Sequence, residues 1–354
     1  MHWKSLVCLH LFTKIYMNKS FNYGIYTDLI KQYISYKRSL GFKMEDTEER
    51  LRRFDRLTVT RGEIFIGISR ELFDEWSIPF PEESDVTRYS RISILRQFSF
   101  YLQIIGYNSY IPKLPMYRST FTPHIFTKAE LESIFQACDK LFLKRKYMYS
   151  QICVMPTLLR MLHSTGLRVG EALNLKHRNV NLDKECLVLR ACKNGQDRLV
   201  PISKSLTEVC KDYVVYKQKQ LIETGPDTYF FTALNGSRCQ VSTVYELFRT
   251  VLYKAGISHK GRGTGPRLHD LRHTFCVNAL LKMSEAGMDL YYSMPILSTY
   301  VGHQSIEATN KYVRLTSEMY PDLLNKVNNA YRYIFPEIGI EESEVNSLTQ
   351  TVQK

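Results

Sequence analysis

The segment from residue 110 to 126 most constrains what this chain can fold into. It carries Pro112, Pro115 and Pro123 and few acids. Proline locks φ, removes a backbone donor and interrupts helix, so this stretch reads as an extended connector between two bodies. A length of 354 residues suits two domains better than one. The expected layout is an extension at 1–20, a helical domain at 21–110, a linker at 111–123, a second domain at 124–335 and an acidic tail at 336–354.

Before the linker, helical periodicity dominates. Leu29, Ile30, Tyr33, Ile34 and Leu40 fall on one face of a run from Tyr26 to Leu40, and Gly41 follows as a C-terminal stop. Leu51, Phe54 and Leu57 mark a second helix. Ile92, Leu95, Phe98, Leu102 and Ile105 mark a third, ended by Gly106. After the linker, Thr127 and Glu130 form a capping box, and helices are expected over Thr157–His163, Leu206–Ile222, Val241–Ala255, Leu271–Met283 and Ile306–Val313. Strand signals are confined to CLVLRA (Cys186–Ala191) and RLVPI (Arg198–Ile202), separated by an Asn194–Gly195 turn that predicts a β-hairpin with Lys193 at its tip. The expected fold class is mainly α with a small antiparallel β-sheet.

Apolar residues at 44% and charged residues at 23% exclude a mostly disordered chain, and no uncharged apolar run reaches the roughly 20 residues of a membrane span. The eight cysteines form no CxxC pair, which fits free thiols in a reducing cytoplasm. The first 17 residues lack a clean cleavage site and read as a short extension, with Met17 as a possible start. The formal charge of +13 suits a polyanion, nucleic acid before an anionic membrane surface. Most of the excess, 29 basic against 18 acidic residues, lies within 123–335. Lys37, Arg38, Arg88, Arg91 and Arg96 lie on or near polar helix sides and are candidate DNA contacts.

Four segments carry chemistry. In TGLRVGEALNL (Thr165–Leu175), Arg168 lies between two glycines near a helix start, where a planar guanidinium can meet a phosphate. Lys193 can protonate a leaving oxygen or contact a phosphate from its turn. In RLHDLRHTF (Arg267–Phe275), His269 and Arg272 lie on the same side of one helical turn. His269 and His273 are also spaced for a two-histidine zinc site, although Asp270 replaces the Glu that HExxH places there. His273 reads as a packed histidine, and Asp270 as a residue that orients or caps the segment. In YVGHQSIEATNKYVRL (Tyr300–Leu315), His303 precedes a helix bearing Tyr312.

In order and in local context, Arg168, Lys193, His269, Arg272, His303 and Tyr312 resemble the active-site set of the tyrosine recombinase (phage integrase) family. The similarity spans roughly Thr127–Leu315, and the region before the linker resembles the family's core-binding domain. MPILSTYVGHQSIEATNKYVRLT is most similar to transposon-associated members. The resemblance implies site-specific DNA breakage and rejoining through a 3′-phosphotyrosyl intermediate on Tyr312, with no metal and no cofactor. It implies that Arg168 and Arg272 bind non-bridging oxygens, that the His269 equivalent assists proton transfer, that His303 donates a hydrogen bond and that Lys193 protonates the 5′-oxygen. Glu171 would brace the site. The implied partner is double-stranded DNA, bound by a homo-tetramer on two sites, with or without other recombinases; no membrane is involved. Tyr320–Ile334 either docks on a neighbouring subunit or packs on its own domain. Three other readings remain open: a non-catalytic DNA-binding recombination partner, a type IB topoisomerase and a zinc hydrolase using His269 and His273.

Overall fold

The computed structural model describes residues 24–117, 122–141, 148–190, 197–259, 261, 265–303, 309–310, 312–313 and 315. The chain forms two compact units, Met1–Phe121 and Thr122–Lys354. Lys193 and its turn, the extension, Tyr320–Ile334 and the acidic tail lie outside the described residues.

The described part of the first unit has four helices: α1 (Thr27–Ser39), α2 (Glu45–Arg61), α3 (Arg70–Ser77) and α4 (Asp85–Ile104). The expected apolar stripes meet in one core of Tyr26, Tyr33, Ile34, Leu51, Phe54, Trp76, Ile92, Leu95, Phe98 and Leu102. Its aromatic pairs are offset or edge-on; Tyr33 and Phe98, for example, lie 5.5 Å apart. Asp55 of α2 is buried and accepts from Tyr26 N at 3.0 Å and from Thr27 Oγ1 at 2.6 Å. It thereby serves orphan donors at the start of α1 from another helix. The periodicity did not point to α3, which packs Leu72, Phe73 and Trp76 inward and is capped by Ser69.

In the second unit, the Thr127–Glu130 capping box forms as the spelling requires and opens α5 (Lys128–Asp139). The next helix, α6 (Met155–Thr165), packs against α5 and four later helices and buries Met155, Leu158, Leu159, Met161 and Leu162. Gly166 ends it in the left-handed region at φ +61°, where a glycine has no Cβ penalty. The short α7 (Val169–Leu173) follows directly. A three-stranded antiparallel sheet, β1 (Val180–Asn181), β2 (Cys186–Leu189) and β3 (Arg198–Pro201), places Leu187 opposite Val200 and both in the core. Strand β1 has two residues, too few for a period-2 signal. The remaining helices are α8 (Lys204–Lys219), α9 (Val241–Lys254), α10 (Asp270–Glu285) and α11 (Leu290–Val301). Helix α11 was not expected, and Pro295 lies inside it. Tyr312 and Val313 have helical backbone. Among the described residues, no helix is long and apolar enough to cross a membrane.

Candidate active site

The site is assembled around the ends of α6, α10 and α11. Arg168 caps α7 from extended backbone. Glu171, one turn later, accepts from Arg168 N at 3.0 Å and from Arg168 Nη1 at 2.8 Å. The same carboxylate accepts from Arg198 Nη2 at 2.8 Å. Arg198 begins β3, and its Nε donates to Tyr300 O at 3.1 Å, tying the hairpin to the end of α11. Burial alone would raise the Glu171 pKa. The Arg198 hydrogen bond and the contacts to Arg168 outweigh it and hold the carboxyl below its usual range.

Arg272 lies in the first turn of α10 and is 2% exposed. Its Nη1 donates to Gly166 O at 2.6 Å and its Nη2 to Val301 O at 2.8 Å, so one guanidinium joins the ends of α6 and α11. Burial, then the neighbouring Arg168 charge, lowers its pKa. Arg168 and Arg198 bond the one carboxylate of Glu171, the Arg272 charge acts nearby, and the excess positive charge favours an anion. Asp270 Oδ2 accepts from Arg267 N at 2.7 Å, and Thr274 Oγ1 links Asp270 O at 2.8 Å to Phe126 N at 2.9 Å. Burial raises the Asp270 carboxyl.

His269 lies immediately before α10. Burial of its ring, then the Arg272 and Arg168 charges, lower its pKa to about 4. The residue as a whole is exposed, so the two fixed cations are the firmer cause. His303 follows Gly302, which ends α11 at φ +67°. Its Nδ1 lies 2.8 Å from Thr309 Oγ1. Burial, then Arg272 and Arg168, lower its pKa to about 4 as well. With the ring neutral, a Thr309 hydroxyl donating to Nδ1 leaves the ring proton on Nε2, the atom that can face an anion.

Tyr312 is 5% exposed and packs with Cys276, Val277, Leu280, Leu297 and Val301. The His303 ring stacks on it at 5.8 Å and 10°. Burial, then Cys276, push its phenol well above the ordinary value, and Arg272 pulls against them. His273, read from the sequence as a packed histidine, is half-buried and has a polar partner. Its Nδ1 lies 2.9 Å from the Tyr312 hydroxyl. Sequence reasoning also passed over Arg198. The available signals were the position of His273 next to Arg272 and the placement of Arg198 at the exit of the hairpin. Arg168, Glu171, Arg272, His269, His303 and Tyr312 thus lie in one region, while Lys193 falls outside the described residues. Among the described residues, no group of three or more His, Cys, Asp or Glu side chains forms a metal-ligand cluster.

The five basic residues proposed for DNA contact in the first unit separate. Arg91 is buried, not surface-facing. It pairs with Glu83 at 2.7 Å, donates to Trp76 O and to Ile78 O at 3.0 Å, and lies over the Phe80 ring. Its guanidinium holds the α3–α4 connection, because burying it required that every donor find a partner. Arg88 and Arg96 are half-buried and donate to Ser77 O and Pro112 O. Lys37 lies over the Tyr33 and Phe42 rings, and Arg38 is exposed and paired with Glu48.

Residues 124–319 match the phage integrase family. The chain is 28% identical over 310 residues to the integrase/recombinase y4rB of Sinorhizobium fredii, covering 85% of this chain and 96% of that protein. It is 30% identical over 171 residues to the tyrosine recombinase XerA of Pyrococcus furiosus, covering 48% and 52%. Among solved structures, the Tn1549 transposon integrase in complex with transposon right end DNA aligns with a TM-score of 0.59 at 18% identity, covering 83% of this chain and 98% of that one. A lambda integrase dimer bound to a core site aligns at 0.57 and 17%, covering 80% and 93%.

Proposed function

The chain belongs to the phage integrase family and is a tyrosine-type DNA recombinase, and from that premise we propose that it cuts and rejoins DNA strands with Tyr312 as its nucleophile. The observation that carries this assignment is the gathering of Arg168, Arg198 and Arg272 near the single carboxylate of Glu171, which the first two bond, beside a buried phenol. A phosphodiester carries one charge on two non-bridging oxygens, and Arg168 and Arg272 supply planar donors for it. Their worth rises as charge shifts onto those oxygens in the transition state. His303 donates through Nε2, and His269 lies beside Arg272. Lys193 protonates the departing 5′-oxygen. Glu171 and Arg198 hold Arg168 in place without touching the substrate.

A 3′-phosphotyrosyl bond keeps the energy of the phosphodiester, so rejoining needs no nucleotide. Tyr312 begins as a neutral phenol, because burial disfavours its charged form. The reaction therefore needs a proton acceptor at the hydroxyl. In the first unit, Lys37, Arg38, Arg88 and Arg96 contribute backbone contacts to the duplex, and Arg91 does not. The protein works as a tetramer on two DNA sites and serves integration, excision or transposition of DNA segments.

A nicked duplex carrying the cleavage site tests the assignment. Wild-type protein forms an SDS-stable covalent band. Tyr312→Phe binds the duplex with unchanged affinity and forms none. A covalent band from Tyr312→Phe refutes the assignment of that tyrosine, and retarded mobility without a covalent band from the wild type indicates a binder only. Supercoil relaxation without strand exchange indicates a topoisomerase.

A further inference from the structure

Proton transfer from Tyr312 requires a base in contact with its oxygen. His273 stands one helical turn beyond His269 on α10, so both rings project toward the same side. They meet edge to face at 4.9 Å. His273 presents Nδ1 to Tyr312 Oη at 2.9 Å, with ring centroids 5.5 Å apart. Among the described residues, Arg272 and Cys276 from α10 and His303 from the turn after α11 also face Tyr312. His269 is flanked by the Arg272 and Arg168 charges, which disfavour its protonated form, so it accepts a proton poorly near neutral pH.

We propose that His273 is a catalytic residue that takes the Tyr312 proton during cleavage and returns it at rejoining. This rests on Tyr312 as the nucleophile. In the forward step, the proton moves from Tyr312 Oη to His273 Nδ1 as an Oη electron pair forms the bond to phosphorus. The bond from phosphorus to the 5′-oxygen breaks, and that oxygen keeps the electron pair and receives a proton from the acid side of the site. In the reverse step, the 5′-hydroxyl returns its proton to the acid side of the site as its oxygen bonds to phosphorus, the phosphorus–Oη bond breaks, and Oη keeps that electron pair and recovers its proton from the His273 imidazolium. The hydrogen bond also fixes the phenol's direction, so binding of the DNA and activation of the nucleophile are separable.

The experiment compares single-turnover covalent-adduct formation by wild type, His273→Ala and His269→Ala between pH 5.5 and 9. It uses two nicked duplexes, one with the natural bridging oxygen and one with sulfur at the 5′-bridging position. A sulfur leaving group needs no acid but still needs an activated phenol. Loss of a general base typically costs on the order of 100- to 10,000-fold. His273→Ala is expected to lose at least about 100-fold on both duplexes, with unchanged duplex affinity. It is also expected to lose the decline of rate at acid pH that wild type shows as its base protonates. His269→Ala keeps that decline. Rescue of His273→Ala by sulfur, retention of its acid decline, or loss of that decline in His269→Ala instead would each overturn the proposal. His273→Gln, with circular dichroism matching wild type, guards against misfolding and is expected to show the same loss on both duplexes. Tyr312→Phe is measured alongside: an adduct there sinks the nucleophile assignment, whereas its absence together with a normal His273→Ala sinks only the role of His273.

Discussion

Replacing Gly166 by Ala tests how the end of α6 supports the site. Gly166 has φ +61°, its amide donates to Leu162 O at 3.0 Å and its carbonyl accepts from Arg272 Nη1 at 2.6 Å. A Cβ built there lies 2.4 Å from Phe275 Cδ1 and 3.0 Å from Cε1. That ring is not free to swing, because Tyr300 stacks on it at 5.6 Å. An L-residue in the left-handed region costs about 1 kcal/mol. Overpacking of this kind costs about 1–3 kcal/mol more. Gly166→Ala is thus expected to lose roughly 2–4 kcal/mol of stability. Urea unfolding followed by far-UV circular dichroism measures it; tryptophan emission does not report this unit, since Trp3 and Trp76 both precede the linker. A double-mutant cycle with Phe275→Ala isolates the clash, with an expected coupling of about 1 kcal/mol or more. Stability of Gly166→Ala within about 0.5 kcal/mol of wild type, or additive effects in the cycle, would refute the reasoning. Covalent-adduct formation should fall as well, because the moved carbonyl is the one that positions Arg272.

Glu171→Gln leaves two guanidinium groups facing a neutral amide. It is expected to cost about 3 kcal/mol in thermal or urea unfolding and to slow adduct formation more than it weakens DNA binding; equal losses in both would show that Glu171 does not position Arg168. Histidine protonation sets an acid limit on stability. His303, by burial and then the Arg272 charge, and His177, by burial and then Lys217, have folded-state pKa values lowered to about 4. The unfolded chain binds more protons between its ordinary value of about 6.5 and that point, so stability is whole above about pH 6.5 and falls as pH drops toward 4. Urea midpoints that stay flat across that window would contradict the shifts. Lys217 is fully buried and donates to Tyr229 O and Phe230 O, with His177 Nε2 3.0 Å from its Nζ. Lys217→Met strands those acceptors and is expected to destabilise by about 3 kcal/mol, read by the same unfolding assay; a gain in stability would mean that the apolar replacement outweighs the lost bonds.

Much of the local structure was legible from residue order alone. The Thr127–Glu130 box, the left-handed Gly41 and Gly106 stops and the pairing of Cys186–Leu189 with Arg198–Pro201 involve neighbours in one turn or one hairpin. Their energetics are short-range, so the spelling suffices. Motif order likewise pointed to Arg168, His269, Arg272, His303 and Tyr312. Helices α3 and α11 were missed because an eight-residue helix offers two turns of pattern and because Pro295 masks the other.

Tertiary packing alone decided what several side chains do. Arg91 looked like a surface cation until α3 and the following loop brought Glu83 and two carbonyls around it. His273 meets Tyr312 across 39 positions, and Arg198 meets Tyr300 across 102. Helical periodicity says which face a residue occupies, but which partner waits on the other side depends on how distant elements cross. A charged or titratable group takes its role from that partner, since burial and neighbouring charge set both its protonation and its direction.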